Sequence, residues 1–396
     1  MEKHRMTPNK LSLPGQVVLV LQGGGALGAY HAGVYEALHE AGMEPDWLVG
    51  TSIGAINSAL IAGNPPELRL QRLREFWQCV EQKAIGNVPY CLFPGVGNAI
   101  ANWMTIATGI PGFFTPNPVA WLNQYAAIGL ANAAYYSTEP LRSTLGSLMD
   151  FRRLNERKAE RKTRISLGAV KVSNGEMRYF DSREETITME HILASSAYPP
   201  AFPAIQIEGD SYWDGGIYSN TPIEAVLDDN PRHDSLIFAV DVWNPGGTEP
   251  QSLWQVAGRE KEIVYASRAK SHIARQKQIH HLRHVIRELT ESIPVKSRNT
   301  AKIKELASWG CHTVMHVVRL VASGIDSEDA MKDIDFAPER IHERWQAGYT
   351  DTWHMLNLAP WTMPVDPVDG VVIHDAHMRG ATALASGIDG FAGKTK

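Results

Sequence analysis

The amino-terminal part of the chain alternates between hydrophobic runs and glycine-rich turns. Residues 16–22 (QVVLVLQ) form an apolar, β-branched run, which predicts a buried strand. Three glycines follow at positions 23–25, and the next residues carry a helical pattern that ends near Gly42. A second run at residues 46–50 (DWLVG) leads through another short turn into another helix. Two strand–turn–helix units in succession predict an α/β protein with a mainly parallel sheet and helices packed on it.

The rest of the chain continues this pattern and then becomes mostly helical. Further hydrophobic and β-branched runs predict strands at residues 164–172, 177–181, 203–207 and 235–242. A long helix is predicted near residues 252–290, and the periodicity ends from Pro360 onward. We therefore expect an added helical region after the main sheet.

Two segments depart from the usual mixture of charged and apolar residues. Residues 84–138 contain no Asp, Glu, Lys or Arg, whereas a packed helix normally has a charged outer face. This segment is either a core helix pair with loops or an apolar cap or interfacial surface. Between Ile263 and Arg287 the long helix has six basic residues and no acidic one, which fits a solvated structural helix or a surface attracted to anionic lipid or phosphate.

Composition narrows the class of protein. The chain has 396 residues, 44% of them hydrophobic, which is enough to bury a large core and excludes a wholly disordered chain. With 38 Lys and Arg against 43 Asp and Glu, the formal charge of −5 argues against a nucleic-acid partner. Three scattered cysteines and the absence of an apolar stretch before Pro14 lead us to expect a cytoplasmic protein without a signal peptide. No apolar run is long enough to predict a membrane-spanning helix.

The first glycine turn fits the pattern G-x-G-x-x-G through Gly23, Gly25 and Gly28. This spacing alone suggests a dinucleotide site, with a pyrophosphate at the amino terminus of the following helix. Such a site needs an acidic residue at the carboxyl end of the second strand. Asp46 precedes that strand, and the strand ends in a serine turn instead, which weakens the cofactor interpretation.

The serine turn is Gly50-Thr51-Ser52-Ile53-Gly54, with the spacing G-x-S-x-G between a strand and a helix. In this context the pattern predicts a nucleophile elbow, because the flanking glycines permit a tight turn that exposes the serine hydroxyl. The helix that follows favours negative charge at its amino terminus. Ser52 is therefore the candidate nucleophile.

A serine nucleophile needs a base, and the best candidate is Asp214. It lies in the sequence SYWDGG, where Gly215 and Gly216 give the carboxylate little steric cover. Asp-Gly is also a strong hairpin signal, so this motif is informative only together with the serine turn. His233 is the best histidine candidate, but it lies just before a predicted strand.

The glycine turn then has a different role. Backbone N–H groups of Gly23, Gly24, Gly25 and Ala26 would face the serine from the neighbouring strand–helix turn and form an oxyanion hole. Glycine suits these positions because a side chain would block the close approach of the acyl oxygen.

The motifs GGGALG, GTSIG and DGG occur in this order and resemble those of the patatin-like phospholipase family of serine acyl hydrolases. The resemblance covers about residues 16–245. It implies a three-layer α/β/α fold, a Ser52–Asp214 dyad without histidine, and hydrolysis of lipid esters. We expect no cofactor and no metal. One departure is Leu27, where many members of the family have a basic residue.

These patterns divide the chain into four parts. We predict an N-terminal extension at residues 1–15, a patatin-like acyl hydrolase domain at 16–250 with the uncharged segment as an insert, a helical C-terminal region at 251–359 and a loose tail at 360–396.

On this interpretation Asp214 takes the Ser52 proton during attack on an ester. An ordinary Asp carboxylate is a poor base for serine, so we expect partial burial that raises the pKa of Asp214. The uncharged segment would then serve as the wall of an acyl-chain pocket or as a lid. The expected partner is a lipid ester, and peripheral contact with a membrane surface is left open. Two alternatives remain: a catalytically idle patatin-like scaffold that binds lipid or a protein, and a dinucleotide-dependent oxidoreductase.

Overall fold

A computed structural model of the chain describes residues 13–82, 105–125, 127–156, 163–247, 249–323, 331–366 and 368–375. The predicted N-terminal extension up to residue 12 and the uncharged residues 84–104 lie outside these ranges. The described strands are β1 (Gln16–Leu21), β2 (Trp47–Gly50), β3 (Thr115–Pro116), β4 (Tyr136–Ser137), β5 (Arg164–Lys171), β6 (Met177–Asp181), β7 (Ile205–Ile207), β8 (Asp210–Asp214), β9 (Ser235–Asp241), β10 (Met315–Val321) and β11 (Val371–Asp375).

Helices surround these strands. The described α-helices are α1 (Ala29–Glu40), α2 (Ile53–Ala62), α3 (Pro66–Cys79), α4 (Pro118–Leu122), α5 (Glu139–Leu148), α6 (Phe151–Asn155), α7 (Met189–Ser195), α8 (Glu224–Leu227), α9 (Leu253–Ser292), α10 (Val295–Arg298), α11 (Ala301–Ala307) and α12 (Pro338–Leu358). Short 3₁₀ turns occur at Gly25–Gly28, Gly215–Ile217 and Pro360–Thr362. Among the helices that the structure describes, none is both long and apolar enough to cross a lipid bilayer.

Nine of the described strands form one mainly parallel sheet, as the sequence predicts. Its order is β11-β10-β9-β1-β2-β5-β8-β7, with β6 also paired to β5. The six strands from β11 to β5 run parallel to their neighbours, whereas β6 and β8 pair with β5 in the antiparallel sense. β1 lies at the centre, where Val18 is opposite Trp47 on one side and Ile237 on the other.

The sheet is covered on both faces, which gives the predicted three-layer α/β/α arrangement. Alternate residues of β1 point to opposite faces, so Leu19 and Leu21 join one core and Val18 and Val20 join the other. The first core includes side chains from α1, α2, α3 and α12. The second core includes side chains from α8 and Ile273 of α9. Burial on both faces explains why β1 is apolar throughout instead of alternating with polar residues.

The C-terminal part of the chain differs from its prediction. The long helix predicted near 252–290 is present as α9, but residues 251–359 also supply β10, which pairs with β9 in the main sheet. The prediction of a loose tail from residue 360 is wrong for residues 371–375, which form β11 at the edge of the same sheet. Hydrogen bonding to β10 stabilises this short β-branched run despite its Pro- and Asp-rich surroundings. The tail residues 376–396 lie outside the described part of the chain.

Candidate active site

Ser52 occupies a strained turn between β2 and α2. Its backbone φ of 57° and ψ of −127° lie where side-chain-bearing residues are rarely found. The turn is tight, because a Cβ at Gly54 would lie 2.1 Å from the Leu21 carbonyl oxygen and a Cβ at Gly50 would lie 2.4 Å from the Gly54 carbonyl oxygen. The Ser52 amide donates to the Ser195 carbonyl oxygen at 2.9 Å. This geometry is that of the elbow predicted from the sequence, with a half-buried Ser52 at the amino terminus of α2.

Asp214 ends β8 and is completely buried. Its Oδ1 accepts a hydrogen bond from the Gly216 amide at 2.7 Å, whereas Oδ2 has no hydrogen-bond partner among the described residues. Burial raises the pKa of Asp214 to about 7, and the Gly216 amide, together with the Ser52 hydroxyl in the same cavity, opposes this rise only in part. The sequence predicts partial burial, whereas the burial in the structure is complete; the pKa is raised in the expected direction. Gly215 permits the site to form, because a Cβ there would lie 2.5 Å from the Gly168 carbonyl oxygen.

The register of the sheet brings Ser52 and Asp214 together. β5 lies between β2 and β8, with Gly50 opposite Leu167 and Asp214 opposite Ala169, two residues further along β5. Gly50 is both the last residue of β2 and the first residue of the serine turn. Two residues far apart in the sequence therefore meet at one end of the sheet.

Hydrogen bonds fix both ends of the glycine turn after β1. The Gly23 amide donates to the Asn220 carbonyl oxygen at 3.1 Å, and the Ala26 amide donates to the Asp333 carbonyl oxygen at 2.8 Å. Gly23 and Ala26 were among the four predicted oxyanion-hole donors. The structure contradicts that role for these two residues, because their N–H groups are already engaged.

The middle of the same turn keeps its amides free. Gly24 and Gly25 make no hydrogen bond through N–H within the described part of the chain, and both residues line the cavity that contains Ser52. Gly25 has a φ of 54°, and a Cβ there would lie 2.2 Å from the Asp333 carbonyl oxygen. A Cβ at Gly28 would lie 2.5 Å from the Ile53 side chain, so the glycine turn packs directly on the serine turn.

Side chains that the sequence analysis did not identify also hold this turn. The Gly23 carbonyl oxygen accepts hydrogen bonds from Asn220 Nδ2 at 3.0 Å and from Trp243 Nε1 at 2.9 Å. Gln22 Oε1 accepts from the amides of Val242 and Trp243 at 2.6 and 3.0 Å. Asn220 follows Asp214 closely enough for the DGG motif to have drawn attention to it, whereas Trp243 carries no local signal.

The C-terminal region reaches the glycine turn through Asp333. Lys261 on α9 forms an ion pair with the Asp333 carboxylate at 3.0 Å, and the neighbouring Lys332 pairs with Glu262 at 2.5 Å. Lys332 Nζ also lies 5.5 Å from the centre of the Trp243 ring. These contacts hold the backbone of residues 332–333 against the glycine turn. Nothing in the sequence near residue 333 indicates this role.

A cavity of about 290 Å³ opens beside Ser52. None of the described residues that line it is a histidine. At one side of the cavity the hydroxyl groups of Tyr198 and Tyr265 are 2.8 Å apart. The described part of the uncharged segment supplies Ile106, Phe113, Phe114 and Tyr136 to the lining. The described aliphatic and phenylalanine side chains that line the cavity are Ile53, Ile56, Ile106, Phe113, Phe114, Ala201, Phe202, Ile334 and Phe336.

Asp46 and His233, the acidic residue and the histidine weighed from the sequence, lie away from this cavity. Asp46 Oδ2 accepts a hydrogen bond at 2.8 Å from the Val17 amide, at the start of β1, whereas the glycine turn follows the end of that strand. His233 precedes the start of β9, which runs parallel to β1. Both residues therefore lie at the amino-terminal ends of β1 and β9, whereas Ser52 lies at the carboxyl-terminal end of β2. A dinucleotide site through Asp46 is inconsistent with this placement.

Comparison with known proteins finds two family matches. Residues 19–227 match the family described as patatin-like phospholipase, and residues 263–368 match a family described as patatin phospholipase. Patatin-like phospholipase domain-containing protein 6 of Homo sapiens is 49% identical over 61 residues, which is 15% of this chain and 4% of that protein. Lysophospholipase nte1 of Aspergillus terreus is 59% identical over 46 residues, which is 12% of this chain and 3% of that protein. Triacylglycerol lipase ptl3 of Schizosaccharomyces pombe is 40% identical over 62 residues, which is 16% of this chain and 13% of that protein.

The matches to these curated relatives span only a small part of their length. Among solved structures, VipD from Legionella pneumophila aligns with 95% of this chain and 75% of its own, at 16% identity and a TM-score of 0.39. The family match at residues 19–227 covers more than half of the chain and contains both Ser52 and Asp214. The chain belongs to the patatin-like phospholipase family.

Proposed function

We propose that this protein hydrolyses ester bonds of lipids, with Ser52 as nucleophile and Asp214 as general base. The observation that carries this proposal is a buried carboxyl group beside a serine elbow, in a cavity that also contains the unengaged amides of Gly24 and Gly25. Relatives named as a lysophospholipase and a triacylglycerol lipase support a lipid ester as the substrate.

In the acylation step Asp214 accepts the Ser52 proton while Ser52 Oγ forms a bond to the acyl carbon of the ester. Negative charge develops on the former carbonyl oxygen, and the amides of Gly24 and Gly25 donate to it. Each such donor lowers the barrier by about 3 kcal/mol. The tetrahedral intermediate then breaks its bond to the alcohol oxygen, which leaves with the proton held by Asp214.

Water completes the cycle. Asp214 is again ionised and accepts a proton from a water molecule, whose oxygen attacks the acyl carbon of the Ser52 ester. The same two amides stabilise the second tetrahedral intermediate. When it collapses, the fatty acid leaves and the proton on Asp214 returns to Ser52 Oγ. A base with a pKa of about 7 suits both directions of this proton transfer near neutral pH.

The lining of the cavity favours a long acyl chain. Phe113, Phe114 and Phe202 pack on one another with ring centres 5.5–6.1 Å apart and form an apolar wall. Each methylene group buried against such a wall contributes about 0.8 kcal/mol. Leu27 is buried and has no charge, so backbone amides would supply the oxyanion contacts without a cation at this position.

Covalent labelling with a fluorophosphonate tests the dyad without knowledge of the natural substrate. We expect an adduct on Ser52, mapped by peptide mass spectrometry, and none on Ser196, the other serine among the described residues that line the cavity. Ser52→Ala should abolish labelling and Asp214→Asn should slow it by at least two orders of magnitude. The absence of a Ser52 adduct in folded protein with detergent present would contradict the proposal and favour a lipid-binding scaffold without catalysis.

A further inference from the structure

Exposed apolar side chains lie in and after helix α4, next to the cavity. Their exposed fractions reach 87% at Leu122 and 99% at Tyr125. Single exposed apolar residues are common, but a group within one short stretch marks an interaction surface. We call this group the uncharged face, because residues 84–138 contain no charged side chain. Its members are Val119, Trp121, Leu122, Tyr125 and Leu130.

Aromatic rings connect the uncharged face to the cavity of Ser52. The Trp121 ring lies 4.9 Å from that of Tyr135 and 6.3 Å from that of Tyr136. Tyr136 lines the cavity, and its ring is 4.8 Å from Phe114 and 6.3 Å from Phe202. An unbroken apolar path therefore runs from the half-exposed Trp121 to the acyl-chain wall.

Backbone hydrogen bonds fix the uncharged face relative to the cavity. The amides of Tyr135 and Tyr136 donate to the carbonyl oxygens of Pro200 and Ala201 at 3.0 and 2.9 Å. Ala201 itself lines the cavity. Trp121 Nε1 donates to the Tyr135 carbonyl oxygen at 3.1 Å, which ties α4 to the residue that directly precedes β4. The face and the cavity wall thus form one connected unit.

We propose that the uncharged face docks on the surface of a neutral, zwitterionic lipid bilayer and brings the cavity to that surface. The inference rests on the proposed function, because a lipid must leave the bilayer and enter the cavity to reach Ser52. Trp and Tyr side chains are suited to the bilayer interface, where one end of the ring is apolar and the other is wet. A second copy of the chain on this face would cover the apolar path, whereas a bilayer could supply lipid that passes along it to the cavity.

The absence of charge on this face makes the proposal specific. Lys and Arg residues drive binding to anionic lipid, and that binding weakens with salt. The uncharged face supplies no such residue, so its binding should depend little on salt or on anionic lipid. The basic part of α9, which carries Lys270, Arg275 and Lys277, would show the opposite behaviour.

Flotation with lipid vesicles tests the docking. The full-length protein is mixed with phosphatidylcholine vesicles, with and without phosphatidylserine, at low and high salt. We expect binding under all four conditions, and a decrease of about tenfold or more when Leu122→Asp and Tyr125→Asp are combined, because a charge at the apolar face opposes insertion. The matched control is Leu289→Asp, on an exposed leucine of α9 that lies about 36 Å along the helix from the cavity residue Tyr265. This control should bind as the unmodified protein does.

Hydrolysis of a soluble ester separates docking from catalysis. We expect the combined variant to hydrolyse p-nitrophenyl butyrate at the unmodified rate, while its hydrolysis of vesicle phosphatidylcholine falls in parallel with flotation. If the unmodified protein is neither labelled by the fluorophosphonate nor able to hydrolyse the soluble ester, the proposed function is refuted. The flotation results would still test the docking proposal in that case. The docking proposal would be overturned if the combined variant floats as the unmodified protein does, or if Leu289→Asp reduces flotation equally. It would also be overturned if the protein binds only to vesicles that contain phosphatidylserine. A dimer that dissociates in the combined variant, together with no flotation, would assign the face to a second copy and overturn it as well.

Discussion

The burial of Asp214 predicts a specific pH dependence of activity. Only the ionised carboxylate accepts the Ser52 proton, so kcat/KM should follow the ionised fraction of a group whose pKa is about 7. At pH 5 that fraction is about one in a hundred, so the rate should be about a hundredfold below the plateau reached above pH 8. A solvated aspartate, with a pKa near 3.8, would leave the rate unchanged down to about pH 5.

The raised pKa of Asp214 also predicts that the folded protein becomes less stable as the pH rises. The folded protein keeps a proton on Asp214 that the unfolded chain releases, so the free energy of unfolding should fall as the pH rises from about 4 to about 7. A rise in pKa from 3.8 to about 7 corresponds to about 4 kcal/mol at 1.36 kcal/mol per unit. Asp214→Asn removes the charge and keeps an oxygen for the Gly216 amide. It should therefore be inactive, more stable than the unmodified protein at pH 8 by up to about 4 kcal/mol, and little different near pH 4.

Two measurements check this reasoning. One is the pH profile of kcat/KM for an uncharged soluble ester, and the other is urea unfolding of both proteins at pH 4.5 and pH 8. Asp210→Asn is the matched control, because Asp210 lies at the other end of β8 with a partly exposed side chain that pairs with Lys171 at 2.7 Å. It should leave the pH profile unchanged and alter the stability by no more than about 1 kcal/mol at either pH. An acid limb with its midpoint near pH 4, or an Asp214→Asn variant that is less stable at pH 8, would refute the assignment of Asp214 as a buried base.

Two further substitutions test the oxyanion turn and the acyl-chain wall. Gly25→Ala should lower kcat/KM at least a hundredfold in ester hydrolysis assays, because its Cβ would lie 2.2 Å from the Asp333 carbonyl oxygen and displace the turn. Gly42→Ala places a Cβ at a similar positive φ but in open space, so equal losses in the two variants would refute displacement as the cause. Phe202→Ala should lower the ratio of long-chain to short-chain ester hydrolysis about tenfold, since it removes apolar contact with the chain. Phe238→Ala, in the core outside the cavity, should leave that ratio unchanged, and a similar change in both variants would count against an acyl-chain wall.

The features that the sequence predicted depend on short stretches of chain. The buried strand β1, the serine turn at Ser52 and the carboxylate at Asp214 are each encoded by a few neighbouring residues whose spacing has a direct steric meaning. Their meeting depends on the register of the sheet, because β8 runs antiparallel to β5 and only the pairing of Asp214 with Ala169 brings it near the end of β2. The sequence therefore supplies the two candidates, and the sheet supplies their proximity. The fold class and the dyad candidates could therefore be inferred without the structure.

The features that the sequence did not predict depend on distant partners. The Gly23 and Ala26 amides look equivalent to those of Gly24 and Gly25 in the sequence, and only contacts with Asn220 and Asp333 engage them. Strand β11 was missed for a related reason. Five residues in a Pro- and Asp-rich stretch carry a weak strand signal, and pairing with β10 supplies the stability that the local pattern does not indicate.

The structure also argues that the C-terminal region and the site form one unit. Left-handed backbone at Ser52 costs about 1–3 kcal/mol, and the buried Asp214 costs about 4 kcal/mol more above neutral pH. Together these costs approach the net stability of an ordinary domain, about 5–15 kcal/mol. Packing elsewhere must offset them, and residues after 250 contribute to it. β10 covers the edge of β9, and α9 packs on the second core. α12 crosses α1 where a Cβ at Gly348 would lie 2.1 Å from the Tyr30 carbonyl oxygen. Since Asp333 from the same region also fixes the glycine turn, residues 16–250 without the C-terminal region would lose both the packing and the oxyanion geometry.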